Sequence, residues 1–551
     1  MGGRVAGSPN VDRPNEQLVR GDSAMLKGVL AVLRSATVGS LRQPTLAKFG
    51  KQMSEATADK LTNSIAKWVA VDCRPISIVE DEGLKEAFQI ASSDSNFQLP
   101  SRTTVMKRIH QLYCDERTRK EDLLAGACHV ALTGDHWTSV SNHIYLGVTA
   151  HLIDVGWKLK SFALNASKTV TRHYADACAE QFDAVTKEWE IENKVTTIGT
   201  DSARHIVAAA RQLPFEHIPC AAHMLQRTIT VCLEDGSFDT ALAKCRKIVG
   251  HFKHSPTSME VLHLQQTLLG QAREPLVQDV STRWISTHSM ISQYLRNHEA
   301  VNATLATEKH KLAALTNLEC DRLQKLEFVL EPCKYVTELL GGESYVSCSV
   351  LLPALCHLNR VMDPTDEDLA YMIKFKTTFK KEIDSHMANI NKRWLKVATA
   401  LDPRFKDLRS IHRKERDEVW TWIEEMLRGS KAEPAAPQPT EDEPAAKKSL
   451  LLLSSDSDSD SDKEEQGPLA RYKAEPRIGM HECPLEWWAA HAGAYEQLSS
   501  LARKYLATPA TSVPCERLFS LSGNIIQKKR AALHSDNVNK LVCLSNWLKD
   551  T

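Results

Sequence analysis

Residues 128–166 constrain the fold most, because three short β-prone runs there interrupt a chain whose other periodicity is helical. The runs are "CHVALTG" (Cys128–Gly134), "HIYLGVTAHLID" (His143–Asp154) and "WKLKSFALNA" (Trp157–Ala166). Ser141-Asn142 and Gly156 stand at the breaks, so the spacing predicts a three-strand antiparallel meander. "HYADACAEQFDAVTKEWEI" then reads as a helix, "KVTTIGTDSA" as a strand running into a turn, and "EHIPCAAHMLQRTITVCL" as a brief strand followed by a helix. Such an alternation places a mixed sheet beneath helices.

That order is the order of a ribonuclease-H-like core. The expected class is α/β plus α, with the core interrupted by a large all-helical insertion and preceded by a helical N-terminal region. Residues 1–44 are weakly patterned and read as a disordered N-terminus. Residues 45–125 read as a helical domain: Leu61, Ile65, Trp68 and Val69 recur at helical spacing, and Ser101 suits an N-cap. The first part of the core spans 126–223, and the helical insertion spans 224–429. Residues 430–468, "SKAEPAAPQPTEDEPAAKKSLLLLSSDSDSDSDKEEQGP", read as a disordered acidic linker, too poor in apolar residues to bury a core. A last helical region covers 469–551.

Composition narrows the class further. The 551 residues are 42% hydrophobic and 25% charged, which is ordinary for a globular chain and suggests two to four domains. The formal net charge is zero, mildly against a nucleic-acid binder, but the acid run from Asp456 to Glu465 hides a modestly basic remainder. Fourteen scattered cysteines, none in a Cys-x-x-Cys pair, fit a reducing compartment and show no self-contained zinc finger. No apolar run reaches bilayer length and the N-terminus lacks a signal-peptide core, so a soluble intracellular protein is expected.

Two aspartates carry the first chemical signal. Asp135 in "LTGDHWTS" ends the first expected strand, and Asp201 in "TIGTDSARHIV" ends the fourth. Taken singly, each also suits a turn or cap. In a ribonuclease-H-like sheet those strands are neighbours, so both carboxylates reach one point, where they repel unless a cation lies between them. Mg²⁺ prefers such ligands, and two ions about 4 Å apart serve both oxygens of a phosphodiester exchange. Glu516 is the candidate third ligand. It is the one acid in the apolar and basic stretch "PATSVPCERLFSLSGNIIQKKRAAL".

Several stretches together resemble the hAT superfamily of transposases, and more narrowly the vertebrate BED-finger proteins descended from them. These are "LTGDHWTS", "TDSARHI", "CAAHMLQ", "DVSTRWISTHSMI" and the long block "WWAAHAGAYEQLSSLARKYLATPATSVPCERLFSLSGNIIQKKRAAL". The resemblance covers roughly residues 45–550. It implies that Asp135, Asp201 and Glu516 form the acidic triad, both catalytic and metal-ligating, with Mg²⁺ required only if the chain is catalytic. It identifies 469–551 as the dimerisation region that completes the core. Leu518, Phe519, Ile525 and Ile526 there pack in the core or against a partner. The recurring Leu498, Leu501, Tyr505, Leu541 and Leu544 likewise point to a homodimer or higher homo-oligomer.

DNA is the partner the resemblance implies. Cys220 and His223 of "CAAH" match a family motif that handles DNA; the plain alternative is a buried cysteine and a capping histidine. Trp284, beside Arg283, matches a family tryptophan that stacks on a flipped base, the alternative being a core tryptophan with an ion-paired arginine. Lys244, Arg246, Lys247 and Lys253 line a phosphate-binding face or a merely solvated one.

The sequence also departs from the family. Ser202, Arg204 and His205 replace an asparagine-rich turn after Asp201, and the BED finger expected before "QPTLAKFG" does not occur, as in a truncated form. The expected function is therefore a domesticated, nuclear, dimeric protein that binds DNA or chromatin in transcription regulation with catalysis weak or lost; the alternative is an active Mg²⁺-dependent transposase. "SLLLLSSDSDSDSDKEE" resembles a SUMO-interacting motif, the alternative being an accidental leucine run. No membrane partner is expected.

Overall fold

The computed structural model describes residues 54–549, apart from 430–466 and short stretches at 93–96, 140–141, 170–173, 235, 281–285, 308–311, 344, 389 and 527–533. The expected disordered N-terminus, most of the acidic linker with its SUMO-like run, Arg283 and Trp284, and the basic Lys528, Lys529 and Arg530 lie outside the described residues.

The chain opens with α1 (Glu55–Val71), α2 (Glu82–Ser92) and α3 (Arg102–Ala125). Ser54 and Ser101 cap α1 and α3, each side chain accepting from a backbone N–H three residues on. Leu61, Ile65 and Val69 of α1 are buried as the periodicity predicts, whereas Trp68 is only half-buried and carries Arg74 over its ring.

Five strands follow: β1 (Val130–Thr138), β2 (Ile144–Ile153), β3 (Leu159–Lys168), β4 (Val195–Thr200) and β5 (Glu216–Pro219), interleaved with α4 (Ala175–Glu188) and α5 (Arg204–Ala210). They form one sheet of order β3-β2-β1-β4-β5, with the meander antiparallel and β4 and β5 parallel to β1. β1 runs past Gly134 to Thr138, its last residue pairing with Ile144. Asp135 therefore lies inside β1, not at its end. Gly134 is no strand terminator: a Cβ there would come within 2.2 Å of the Phe182 ring on α4, so the glycine lets that helix approach the sheet.

Helices then run without a strand: α6 (Ala221–Leu233), α7 (Asp239–His254), α8 (Pro256–Leu268), α9 (Ser286–Arg296), α10 (His298–Thr307), α11 (Asn317–Leu340), α12 (Cys348–Val361), α13 (Ala370–Ala388), α14 (Lys392–Ala400) and α15 (Arg413–Gly429). After residue 466 come α16 (Pro468–Ala474), α17 (Pro484–His491), α18 (Glu496–Leu506), α19 (Val513–Ile525) and α20 (Ser535–Trp547).

Two large cores divide these elements. One joins α6–α15 with α16–α18, as far as Ala510. It is pinned where the Tyr472 hydroxyl donates to the Ala400 carbonyl at 3.0 Å and Trp488 Nε1 to that of Leu401 at 2.9 Å. The other joins the sheet, α1–α3, α19 and α20. The last helical region is thus shared between the cores. Leu498, Tyr505, Leu518, Ile525, Ile526, Leu541 and Leu544 are all buried within the single chain, so these side chains cannot themselves supply the dimer contact expected of them.

Candidate active site

Period-two alternation on β1 sends Thr133, Asp135 and Trp137 to one face of the sheet, and α19 covers that face. Trp137 stacks on Phe519 at 4.6 Å between ring centroids and on Tyr145 at 4.7 Å. Cys515 lies over Thr133, donating to its carbonyl oxygen at 3.1 Å; burial pushes the thiol up to about 12, so it packs as a neutral donor. Asp135 pairs in register with Gly147, and a Cβ on Gly147 would sit 2.9 Å from the Phe519 ring. The glycine lets α19 come close, which carries Glu516, next to Cys515, toward Asp135.

Asp201 follows β4 directly. Its Oδ1 accepts from the Ala203 N–H at 3.2 Å, a short turn that leads into α5. Cys220 holds this end of the sheet to the C-terminal helices. Its N–H donates to the Thr200 carbonyl at 2.8 Å, and its sulfur accepts from the Ser512 N–H at 3.2 Å. The Ala221 N–H adds a bond to the Ala510 carbonyl at 3.0 Å. With Cys220 starting α6, His223 comes round one turn later, and its Nε2 lies 3.3 Å from Glu516 Oε1.

These groups feel one another's charge. Burial first, then the charge of Asp201, raises Asp135 to about 7, with Glu516 adding and His223 opposing. Burial also raises Glu516, His223 lowers it, and Asp201 raises it. For His223 burial disfavours the cation, but the hydrogen bond and charge of Cys220, then Glu516 and Asp135, outweigh it and lift the imidazole to about 9. The His223 imidazole, drawn toward its cation, thus faces Glu516, beside an Asp135 whose carboxyl is held well above the usual carboxylate range.

This arrangement differs from the cation cage expected from the sequence. Among the described residues no group of three or more His, Cys, Asp or Glu side chains is placed to hold a metal ion. Glu516 lies against His223 in this structure, its Oε1 3.3 Å from the imidazole Nε2, and no metal-dependent step is derived from the placement. Sequence reasoning missed the Glu516 contact of His223, because nothing local announces a partner so distant in the chain.

The expected DNA contacts are placed less uniformly. Cys220 is 1% exposed and serves the fold. On α7, Lys244 is 2.7 Å from Glu319 and Arg246 is 2.8 Å from Asp279, so both are committed to carboxylates inside the chain, while Lys247 and Lys253 are exposed.

The fold and the carboxylate cluster define a protein built around an RNase-like core joined to a helical region. Residues 133–219 match the ZBED1 RNase-like domain, 218–330 the ZBED1 RNase-like helical domain, and 468–548 the hAT family C-terminal dimerisation region. The chain belongs to the hAT superfamily of transposase-derived proteins. It is 25% identical over 86% of its length to the putative AC transposase of Zea mays. It is 23% identical over 89% to zinc finger BED domain-containing protein 4 of Homo sapiens, and 19% identical over 89% to the putative transcriptional regulator tpeD of Talaromyces stipitatus. The chain spans 63%, 44% and 62% of those relatives. No helix among the described residues is long and apolar enough to cross a membrane.

Proposed function

We propose that this chain is a domesticated hAT transposase-like nuclear protein that dimerises and holds DNA or chromatin without cutting it, in transcription regulation. The observation that carries the reading is the His223–Glu516 ion pair, 3.3 Å long, which occupies the third carboxylate of the triad. A match to the hAT dimerisation region supports self-association, and a relative carries the name of a transcriptional regulator. Helices α6–α15 are read as an insertion between β5 and the C-terminal helices that return to the sheet. Lys247 and Lys253, exposed on α7, are read as DNA contacts, and Arg283 and Trp284 are assigned the same role from the sequence block that carries them. The second reading, an active Mg²⁺-dependent transposase, draws on the mutual influence of Asp135, Asp201 and Glu516.

Phosphate contacts sum over many cations and release counterions, so binding must weaken steeply with salt. Fluorescence anisotropy on duplex DNA across a salt series is the test. The expected result is weakly sequence-selective binding whose log–log salt slope falls by about 1 in Lys247→Gln. Absence of duplex binding at low salt sinks the reading.

A further inference from the structure

A cavity of about 380 Å³ opens in the helical region, far in the chain from the carboxylate cluster. Four arginines line it: Arg360 from α12, Arg404 and Arg409 from the segment between α14 and α15, and Arg477 from the segment after α16. Cys356 and Asp407 share the wall.

The charges do not cancel. Arg404 is buried and fixed, its Nη2 2.7 Å from Asp402 Oδ2 and its Nε 3.0 Å from Oδ1. Asp407 serves two guanidiniums, with Arg477 Nε at 2.7 Å and Arg409 Nη2 at 3.5 Å. Arg360 is exposed and its Nε donates to the Cys356 carbonyl at 3.4 Å; no carboxylate among the described residues pairs with it. Four cations against the two carboxylates Asp402 and Asp407 leave two positive charges in excess. Guanidinium forks match carboxylate and phosphate oxygens, so the cavity suits an oxyanion-rich ligand.

The chain carries such a ligand. Asp456, Asp458, Asp460 and Asp462 alternate with serine in "SSDSDSDSDKEE", and Glu464 and Glu465 follow Lys463, so the run carries six acids and one base. The run ends two residues before Gly467, where α16 begins its approach to the cavity wall: Lys406 Nζ donates to the carbonyls of Tyr472 and Glu475, two residues short of Arg477. A seven-residue helix spans only about 10 Å, and an extended run adds about 3.3 Å per residue, so the acids are tethered within reach. We propose that the four-arginine cavity is the docking site of the chain's own acidic run, Ser454–Glu465. A concave pocket with Asp407 on its wall suits a short acidic peptide better than the continuous phosphate track of a duplex, which basic stripes serve.

Cys356 reports on occupancy, being half-buried in the wall. The test is alkylation of the full chain by iodoacetamide, read at Cys356 by peptide mass spectrometry, with exposed Cys114 and Cys483 as internal references. Replacing the six acids of the run by Asn and Gln should speed alkylation at Cys356 roughly fivefold, and Arg360→Gln with Arg409→Gln should do the same in the native background, the two changes together adding nothing further. Both arginines are exposed, so the fold survives their change. Equal Cys356 rates in the native and acid-depleted chains overturn the proposal, as does full additivity. Protection by added duplex DNA through Arg360 and Arg409, with no effect of acid removal, reassigns the cavity to nucleic acid.

Discussion

Asp135 illustrates what a buried carboxylate does to the stability of the fold around it. The residue is 8% exposed and its carboxyl is held at about 7, well above the 3.8 of an unfolded chain. The folded state therefore keeps a proton that the unfolded state releases. Stability is lost as pH rises from about 4 through about 7. His223 adds to the trend, since a cation raised to about 9 contributes stability that is full below 6.5 and lost as pH rises through 9. Asp135→Asn should remove the first penalty, because an amide oxygen still accepts the His136 N–H that now lies 2.7 Å from Oδ1. The variant is expected to be more stable than the native chain by ~4 kcal/mol at pH 8, the worth of lifting a carboxyl from 3.8 to about 7, and nearly equal at pH 4. Denaturant melts at both pH values check this, and a variant less stable at pH 8 contradicts it. The aspartates and Glu516 were legible because each stands in a recognisable block of sequence. The Glu516 contact of His223 was not, for it depends on α6 and α19 being tied together, as by the Ser512–Cys220 bond across 292 positions.

Helix α19 owes its seat to the absence of side chains on β2 as much as to its own apolar residues. Gly147→Ala would drive a methyl to within 2.9 Å of Phe519, which is itself wedged on Trp137. The helix must shift, and Glu516 moves with it. Overpacking of this kind costs ~1–3 kcal/mol, so the variant's melting temperature should drop by several degrees, while Gly83→Ala, whose new methyl meets nothing within 4 Å, should leave it nearly unchanged. Equal melting of the two variants would mean that Phe519 does not depend on the bare Gly147 backbone. Helix α20 performs a different task at the sheet edge. Asn546 and Asn539 accept from the N–H groups of Ala163 and Ala166 on β3, both at 2.8 Å, and Trp547 Nε1 donates to the Ala163 carbonyl at 2.9 Å. The exposed edge of the meander is thereby closed to other chains. The meander itself was readable from alternation and breaks. The extra length of β1 was not, because a glycine in a strand reads as a stop unless the ring facing it is known.

Across the chain, the return of α19 and α20 to the sheet explains why a region matching a dimerisation family is largely spent inside one protomer. Its amphipathic faces are consumed by the two cores, and no local pattern distinguishes a face that meets its own sheet from one that meets a partner. Self-association must then use surface that the single chain leaves open. The expected particle is a dimer at micromolar concentration, twice the 61.6 kDa of one chain, by light scattering after size exclusion. A single-chain mass at that concentration contradicts it. The zero net charge was also a poor guide to the whole. It averages an acidic run with a basic remainder, and it gave no hint that four arginines meet in one cavity, since they come from three separate segments.

In the proposed function the carboxylate cluster, with Glu516 beside His223, accompanies DNA binding without strand cleavage. A nicking assay tests it most directly: supercoiled DNA carrying candidate terminal inverted repeats, incubated with Mg²⁺ or Mn²⁺ and the native chain, beside Asp135→Asn. Both proteins are expected to bind the DNA, and neither to nick it above the protein-free background. Nicking or joining by the native chain that Asp135→Asn abolishes would contradict the proposed function and establish the enzyme.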